Sequence, residues 1–137
     1  MTTIAANHQM MACDSKVVDG GIVTSVKTKI YKINGDIIGF AGSLSEGMAF
    51  VAWYKDQEKD KPPIDDTSIL LLRSDGLYTM ESNFTLLPET TYGFYAIGSG
   101  SHIAMGAMMA GADPYEAVKI AAKLDNDSGG RVRKLSL

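Results

Sequence analysis

At 137 residues the chain suits one compact domain, residues 1–137. With 45% hydrophobic and 21% charged residues and a formal net charge of −3, it lacks the basic excess a nucleic-acid partner calls for. No apolar run approaches the roughly 20 residues of a membrane span, no basic-then-apolar leader opens the chain, and the single Cys13 cannot form an internal disulfide. These features predict a soluble cytoplasmic protein.

In chain order, strands come first. "TIAA" and "MMACD" are short apolar runs separated by "NHQ", which fits a hairpin. "VVDGGIVTS" breaks at Asp19-Gly20-Gly21 and reads as strand end, loop and new strand. "KIYKINGDIIGFAG" places Asn34-Gly35 between two β-rich runs, the signature of a type I′ two-residue hairpin. "SLSEGMAFVAWYKDQEKD" predicts a helix capped by Ser43 or Ser45, with Met48, Val51 and Ala52 at helical spacing. The charged, Pro-containing "KDQEKDKPPIDD" reads as a surface turn. "SILLLRSDGLYTMES" predicts a second hairpin with Asp75-Gly76 as its turn, "NFTLLPETT" a loop or short edge segment, and "YGFYAIG" a buried strand.

Two helices follow. "SHIAMGAMMAG" ends at Gly111, a suitable C′ glycine. "ADPYEAVKIAAKLD" has Asp113 as N-cap, Pro114 at the first helical position and Glu116 three residues after the cap. "GRVRKLSL" closes as a strand. Strands, helix, strands, two helices and a strand make an α+β layered domain with antiparallel sheets. The methionines Met10, Met11, Met105, Met108 and Met109 lie in apolar stretches and are expected in the core.

Thr2 is the first candidate for chemistry. A small residue after Met1 favours removal of Met1, which leaves Thr2 with a free α-amine beside its own hydroxyl. An α-amine titrates near 7.7–8.0 and so can act as the base that a weak threonine nucleophile needs. The hydroxyl must also be held still, and a first residue fixed in a strand would do that. Thr2 alone is a weak signal, because short motifs match by chance.

Asp14 ends the second apolar run, and Lys29 lies among alternating residues. On a strand, Lys27, Lys29 and Tyr31 would share one face and Thr28, Ile30 and Lys32 the other. An inward lysine needs a partner, and Asp14 would serve; a fixed ammonium near Thr2 would favour a developing alkoxide. The alternative is that these lysines are a solvated edge. "GFAGS" offers glycine-turn amides to an oxyanion. "AIGSGSH" lacks the third glycine of a dinucleotide fingerprint. "LDNDSGG" groups Asp125, Asp127 and Ser128 after a helix, although a plain polar turn has the same composition. His8 and His102 stand apart without metal-ligand spacing, so neither a metal nor a cofactor is expected.

Taken in order, "TTI", "ACD", "KTKIYKI", "GFAGS", "AIGSGS" and "LDNDSGG" resemble the proteasome β-subunit family and its bacterial relative HslV, which are N-terminal-nucleophile hydrolases. The beginning is more similar to HslV. The ending is more similar to the proteasome Asp-x-x-Ser-Gly-Gly, carried here by Asp125, Ser128, Gly129 and Gly130.

The resemblance implies a four-layer αββα sandwich and a threonine endopeptidase acting on peptides or unfolded proteins. Thr2 would be nucleophile and, through its freed amine, base. Asp14 and Lys29 would tune it, the Gly42 amide would donate to the oxyanion, and Ser99, Asp125 and Ser128 would hold the amine and a water. Phe40 and Tyr31 would line the substrate pocket. A ring-like homo-oligomer and an ATPase unfoldase partner are also implied. The chain is short for this family, and "YKDQEKDKPPIDD" leads straight into a hairpin, so one helix of the usual set is expected to be missing. An inactive scaffold or binding protein of the same fold and a small-amide amidase of the same nucleophile class are the alternatives.

Overall fold

The structure is a computed structural model and describes residues 2–19, 22–26, 28–125 and 127–137. The N-terminal hairpin is β1 (Thr3–Asn7) and β2 (Met10–Cys13). A second hairpin, β3 (Lys16–Asp19) and β4 (Ile22–Val26), stands apart as a two-stranded sheet. Strands β5 (Ile30–Ile33), β6 (Asp36–Gly42), β7 (Thr67–Arg73), β8 (Gly76–Met80) and β9 (Leu86–Pro88) form an antiparallel meander, with helix α1 (Leu44–Lys55) between β6 and β7. Strand β10 (Phe94–Gly98) pairs with β1, and after helices α2 (Ser101–Met109) and α3 (Pro114–Leu124), strand β11 (Arg133–Ser136) pairs with β2. The first sheet therefore has the order β10-β1-β2-β11.

Period-two alternation builds the layers. In β6, Ile37 and Ala41 face the other sheet while Ile38 and Phe40 face α1; in β7, Leu70 and Leu72 face the sheet while Ile69 and Leu71 face the helix. In β1 and β2, Ile4, Ala6, Met11 and Cys13 point between the sheets, and Ala5 and Ala12 point to α2 and α3. Each fully buried aliphatic side chain contributes about 1.5–3 kcal/mol. The helix-facing side is built largely of alanines (Ala5, Ala12, Ala96, Ala104, Ala117, Ala121), which lets α2 and α3 lie close on the sheet. The result is an αββα sandwich of two antiparallel sheets with one helix on one side and two on the other, as the sequence predicts. Residues 56–66 pass through turns to β7 with no second helix on that side, the omission that the sequence predicts. Ile64, Phe84 and Leu86 pack there instead.

Local signals hold with a few corrections. Asn34 and Gly35 both have positive φ, 53° and 85°, as a type I′ turn requires. Ser43 caps α1 by accepting from the Glu46 amide. Asp113 and Glu116 form a reciprocal capping box on α3. Gly111 follows α2 with φ 109°.

The turn between β7 and β8, however, is Ser74-Asp75, since Arg73 pairs with Gly76. The buried face of α1 is Gly47, Phe50, Val51, Trp53 and Tyr54; Met48 and Ala52 face solvent. The aromatic residues decide that face, because Phe50, Trp53, Tyr54 and Phe84 form one ring cluster. Met11 and Met108 are buried, but Met109 is exposed at the end of its helix.

Candidate active site

The N-terminal end of β1 is held on all sides. Thr2 and Thr3 are both buried. Beside them, Gly98 has φ 97°, and a Cβ there would sit 1.9 Å from the Thr2 carbonyl oxygen; a Cβ on Gly100 would sit 2.0 Å from Thr3 Oγ1. The glycines of "AIGSG" thus let the first strand lie against the loop entering α2. They serve close backbone approach.

Asp14 and Lys29 meet under this strand. Lys29 Nζ lies 2.9 Å from Asp14 Oδ1, with both side chains buried, and also donates to the Lys16 carbonyl at 2.6 Å. Asp14 Oδ1 accepts from the Thr3 amide at 3.0 Å, and its Oδ2 accepts from the Gly129 amide at 3.0 Å. Two backbone amides and one ammonium satisfy the carboxylate, which is how a charge survives full burial. Lys29 itself precedes β5, and its carbonyl accepts from the Phe40 amide, which extends the β5–β6 pairing by one residue. Lys29 and Ile30 are both buried because both faces of this sheet are covered. Of the expected shared face of Lys27, Lys29 and Tyr31, Lys29 is buried, Tyr31 packs with Phe40 on the α1 side, and Lys27 lies outside the described residues. Lys32 is exposed, as the solvated-edge alternative has it, and donates to the Ser136 carbonyl at 2.9 Å.

A hydroxyl–carboxylate cluster closes the other side. Asp125 Oδ2 accepts from Ser99 Oγ at 2.6 Å and from Ser128 Oγ at 2.5 Å. Ser128 Oγ lies 2.7 Å from Thr3 Oγ1, and Ser99 Oγ donates weakly to the Thr2 carbonyl at 3.4 Å. Burial pushes the Asp125 carboxyl upward, but the hydrogen bonds from Ser128, Ser99 and the Asp127 amide outweigh it and hold the group below its ordinary value.

A pocket of about 100 Å³ opens over Thr2, lined also by Lys16, Val17, Lys29, Phe40, Gly42 and Leu44. Gly42 has φ 113°, and a Cβ there would strike the Asp66 carbonyl oxygen at 2.2 Å, so only glycine fits the turn out of β6. Of the nine residues singled out in the sequence, Thr2, Lys29, Gly42 and Phe40 line this pocket, Asp14 anchors Lys29, and Ser99, Asp125 and Ser128 flank the strand. Tyr31 is placed elsewhere. Its ring stacks on Phe40 at 6.3 Å, but it lines a larger, separate concavity.

Three contributors escape the sequence reading. Thr3 joins the hydroxyl cluster, the Gly129 amide holds Asp14, and the Lys16 carbonyl holds Lys29. The doubled threonine was a signal for the first; backbone roles leave none. Among the described residues no cluster of three or more His, Cys, Asp or Glu forms a metal site, and no helix is long and apolar enough to cross a membrane.

The same arrangement of layers occurs in solved structures. Thiobacillus denitrificans BPH in complex with epoxomicin aligns with a TM-score of 0.78 at 20% identity, over 99% of this chain and 97% of that one. A second structure of that protein gives 0.78, 20% identity and coverages of 99% and 96%. Eukaryotic HslV from Trypanosoma brucei gives 0.77 at 22% identity, over 99% of both chains. No protein-family model matches the sequence, and no curated protein matches it significantly. The chain thus has an αββα sandwich with the fold of these BPH and HslV structures, the fold that the resemblance of the six sequence segments implies.

Proposed function

We propose that the protein is a threonine endopeptidase of the HslV and proteasome β kind. One observation carries the reading: Thr2, buried at the head of β1, shares a pocket with the ammonium of Lys29, which Asp14 fixes from below. Once Met1 is removed, the α-amine of Thr2 takes the proton from its own hydroxyl. Oγ1 then attacks a peptide carbonyl. The Gly42 amide donates to the oxyanion, and the Lys29 ammonium stabilises the charge that develops on Oγ1 before attack. Collapse expels the amine product, which takes a proton from the α-amine, and leaves an ester on Thr2. Water, deprotonated by the same amine, hydrolyses that ester and restores the threonine. Ser99, Asp125 and Ser128 position the amine and this water. Phe40 and Leu44 give the pocket apolar walls, which favours an apolar side chain next to the cleaved bond.

Self-assembly into a ring and delivery of unfolded substrate by an ATPase belong to this reading through the likeness of fold. Its test is the intact mass of the purified protein with and without epoxomicin. Loss of Met1 and one adduct per chain are expected. Retained Met1 with no adduct would refute the reading in favour of an inactive scaffold, and turnover of small amides but not of peptides would make it an amidase.

A further inference from the structure

A larger concavity lies away from Thr2. It encloses about 990 Å³ where α3, β11 and β5 meet, and its cations are Lys32, Lys119, Lys123, Arg131, Arg133 and Lys134. These are six of the chain's thirteen basic residues, and among the described residues no acid lines the space. The chain is acidic as a whole, so this concentration is not an average property of its surface. Among the described residues none of the six is in an ion pair. Two of them, Lys119 and Lys134, lie 5.3 Å and 4.9 Å from the Tyr115 ring, which presents them at the groove wall.

The backbone narrows the occupant. Both sheets end here: β11 is the last strand of one and β5 the last of the other. Among the described residues no strand pairs with the outer edge of β11, where Lys32 donates to the Ser136 carbonyl. In β11, Leu135 packs into the core between the sheets while Lys134 reaches the Tyr115 ring on the helix side. Charged side chains therefore flank an edge able to accept another strand. A small phosphate ester would use the cations and leave that edge unexplained. We propose that this groove is a docking site for an extended acidic polypeptide segment, which adds a strand to β11 and sets its carboxylates against Arg133, Lys134, Lys119 and Lys123. The site is separate from the Thr2 pocket. Its floor includes Gly129, whose amide also holds Asp14, so an occupant touches the loop that supports the buried ion pair.

Fluorescence anisotropy of a fluorescein-labelled (Glu-Val)3 hexapeptide tests this. The full chain carries Thr2→Ala, so the outcome does not depend on the proposed chemistry. Saturable binding is expected. It should weaken at least about tenfold in the Arg133→Glu/Lys134→Glu variant and at 0.5 M salt, where screening shortens the reach of the charges. A peptide N-methylated at alternate amides should also weaken about tenfold, which simple charge attraction would not produce. Lys55→Glu, outside the groove, should bind normally, and circular dichroism should show both variants folded. Equal binding of the N-methylated peptide, or tighter binding of tripolyphosphate at the same site, would overturn strand addition in favour of a small polyanion. Absence of peptide binding would leave the cations as mere edge protection and refute the proposal. So would an oligomer that dissociates in the Arg133→Glu/Lys134→Glu variant and only then binds peptide, since the groove would then hold a second copy.

Discussion

Replacing one member of the buried Asp14–Lys29 pair tests the design of the site most directly. The two side chains are 0% and 3% exposed, so solvent cannot compensate either charge when its partner is lost. Removing one member of such a pair costs about 3–5 kcal/mol. The two variants should not be equal. Lys29→Met leaves the Asp14 carboxylate with the amides of Thr3 and Gly129, and should fall near the lower end, about 3 kcal/mol. Asp14→Ala strips the acceptor from three donors at once: the Lys29 ammonium and those two amides. A hydrogen bond to a charged group contributes about 1.5–3 kcal/mol, so this variant should lose about 5 kcal/mol or more. Urea denaturation followed by circular dichroism gives both values, provided the slopes match the parent's. Epoxomicin labelling of whatever remains folded reads the site, and both variants should be unlabelled. The reasoning would fail if Asp14→Ala were no more destabilising than Lys29→Met, or if either lost under about 1 kcal/mol, which is the range of an exposed pair.

Three further outcomes follow from the geometry. Gly98→Ala must place a Cβ against the Thr2 carbonyl at a φ of 97°, so it should destabilise by at least about 1–2 kcal/mol and abolish epoxomicin labelling, both measurable on one preparation. Burial pushes the Cys13 thiol above its ordinary value. The folded state therefore favours the protonated form, and stability should fall as pH rises above about 9; a thiol reagent at pH 8 should count no free thiol in the native protein and one after denaturation. The Asp125 carboxyl sits below its ordinary value, so its contribution is present above about pH 4 and lost as pH falls through the folded-state value. Asp125→Asn should therefore flatten the acid limb of the stability–pH curve, and an unchanged limb would contradict the Ser99–Asp125–Ser128 cluster.

What the sequence determined by itself was local and periodic. Alternation in "DIIGFAG" and "SILLLR", the Asn34-Gly35 turn, the Ser43 cap and the Asp113–Glu116 capping box each depend on neighbours a few residues apart, so they are legible without a fold. The candidate site was legible because residue types appeared in a recognisable order, not because their spacing placed them in space. Tertiary structure decided what depends on distant partners. Lys29 is buried because Asp14 and the Lys16 carbonyl, both distant along the chain, satisfy its charge. Met48 faces solvent because an aromatic cluster takes the buried face of α1. Tyr31 lines a different concavity from Thr2, and Gly129, 115 residues along the chain from Asp14, gives that carboxylate an amide, a role its place in the Ser-Gly-Gly motif does not announce. Backbone donors have no residue signature, and the charge of a buried group is settled only by what the fold brings within hydrogen-bond reach.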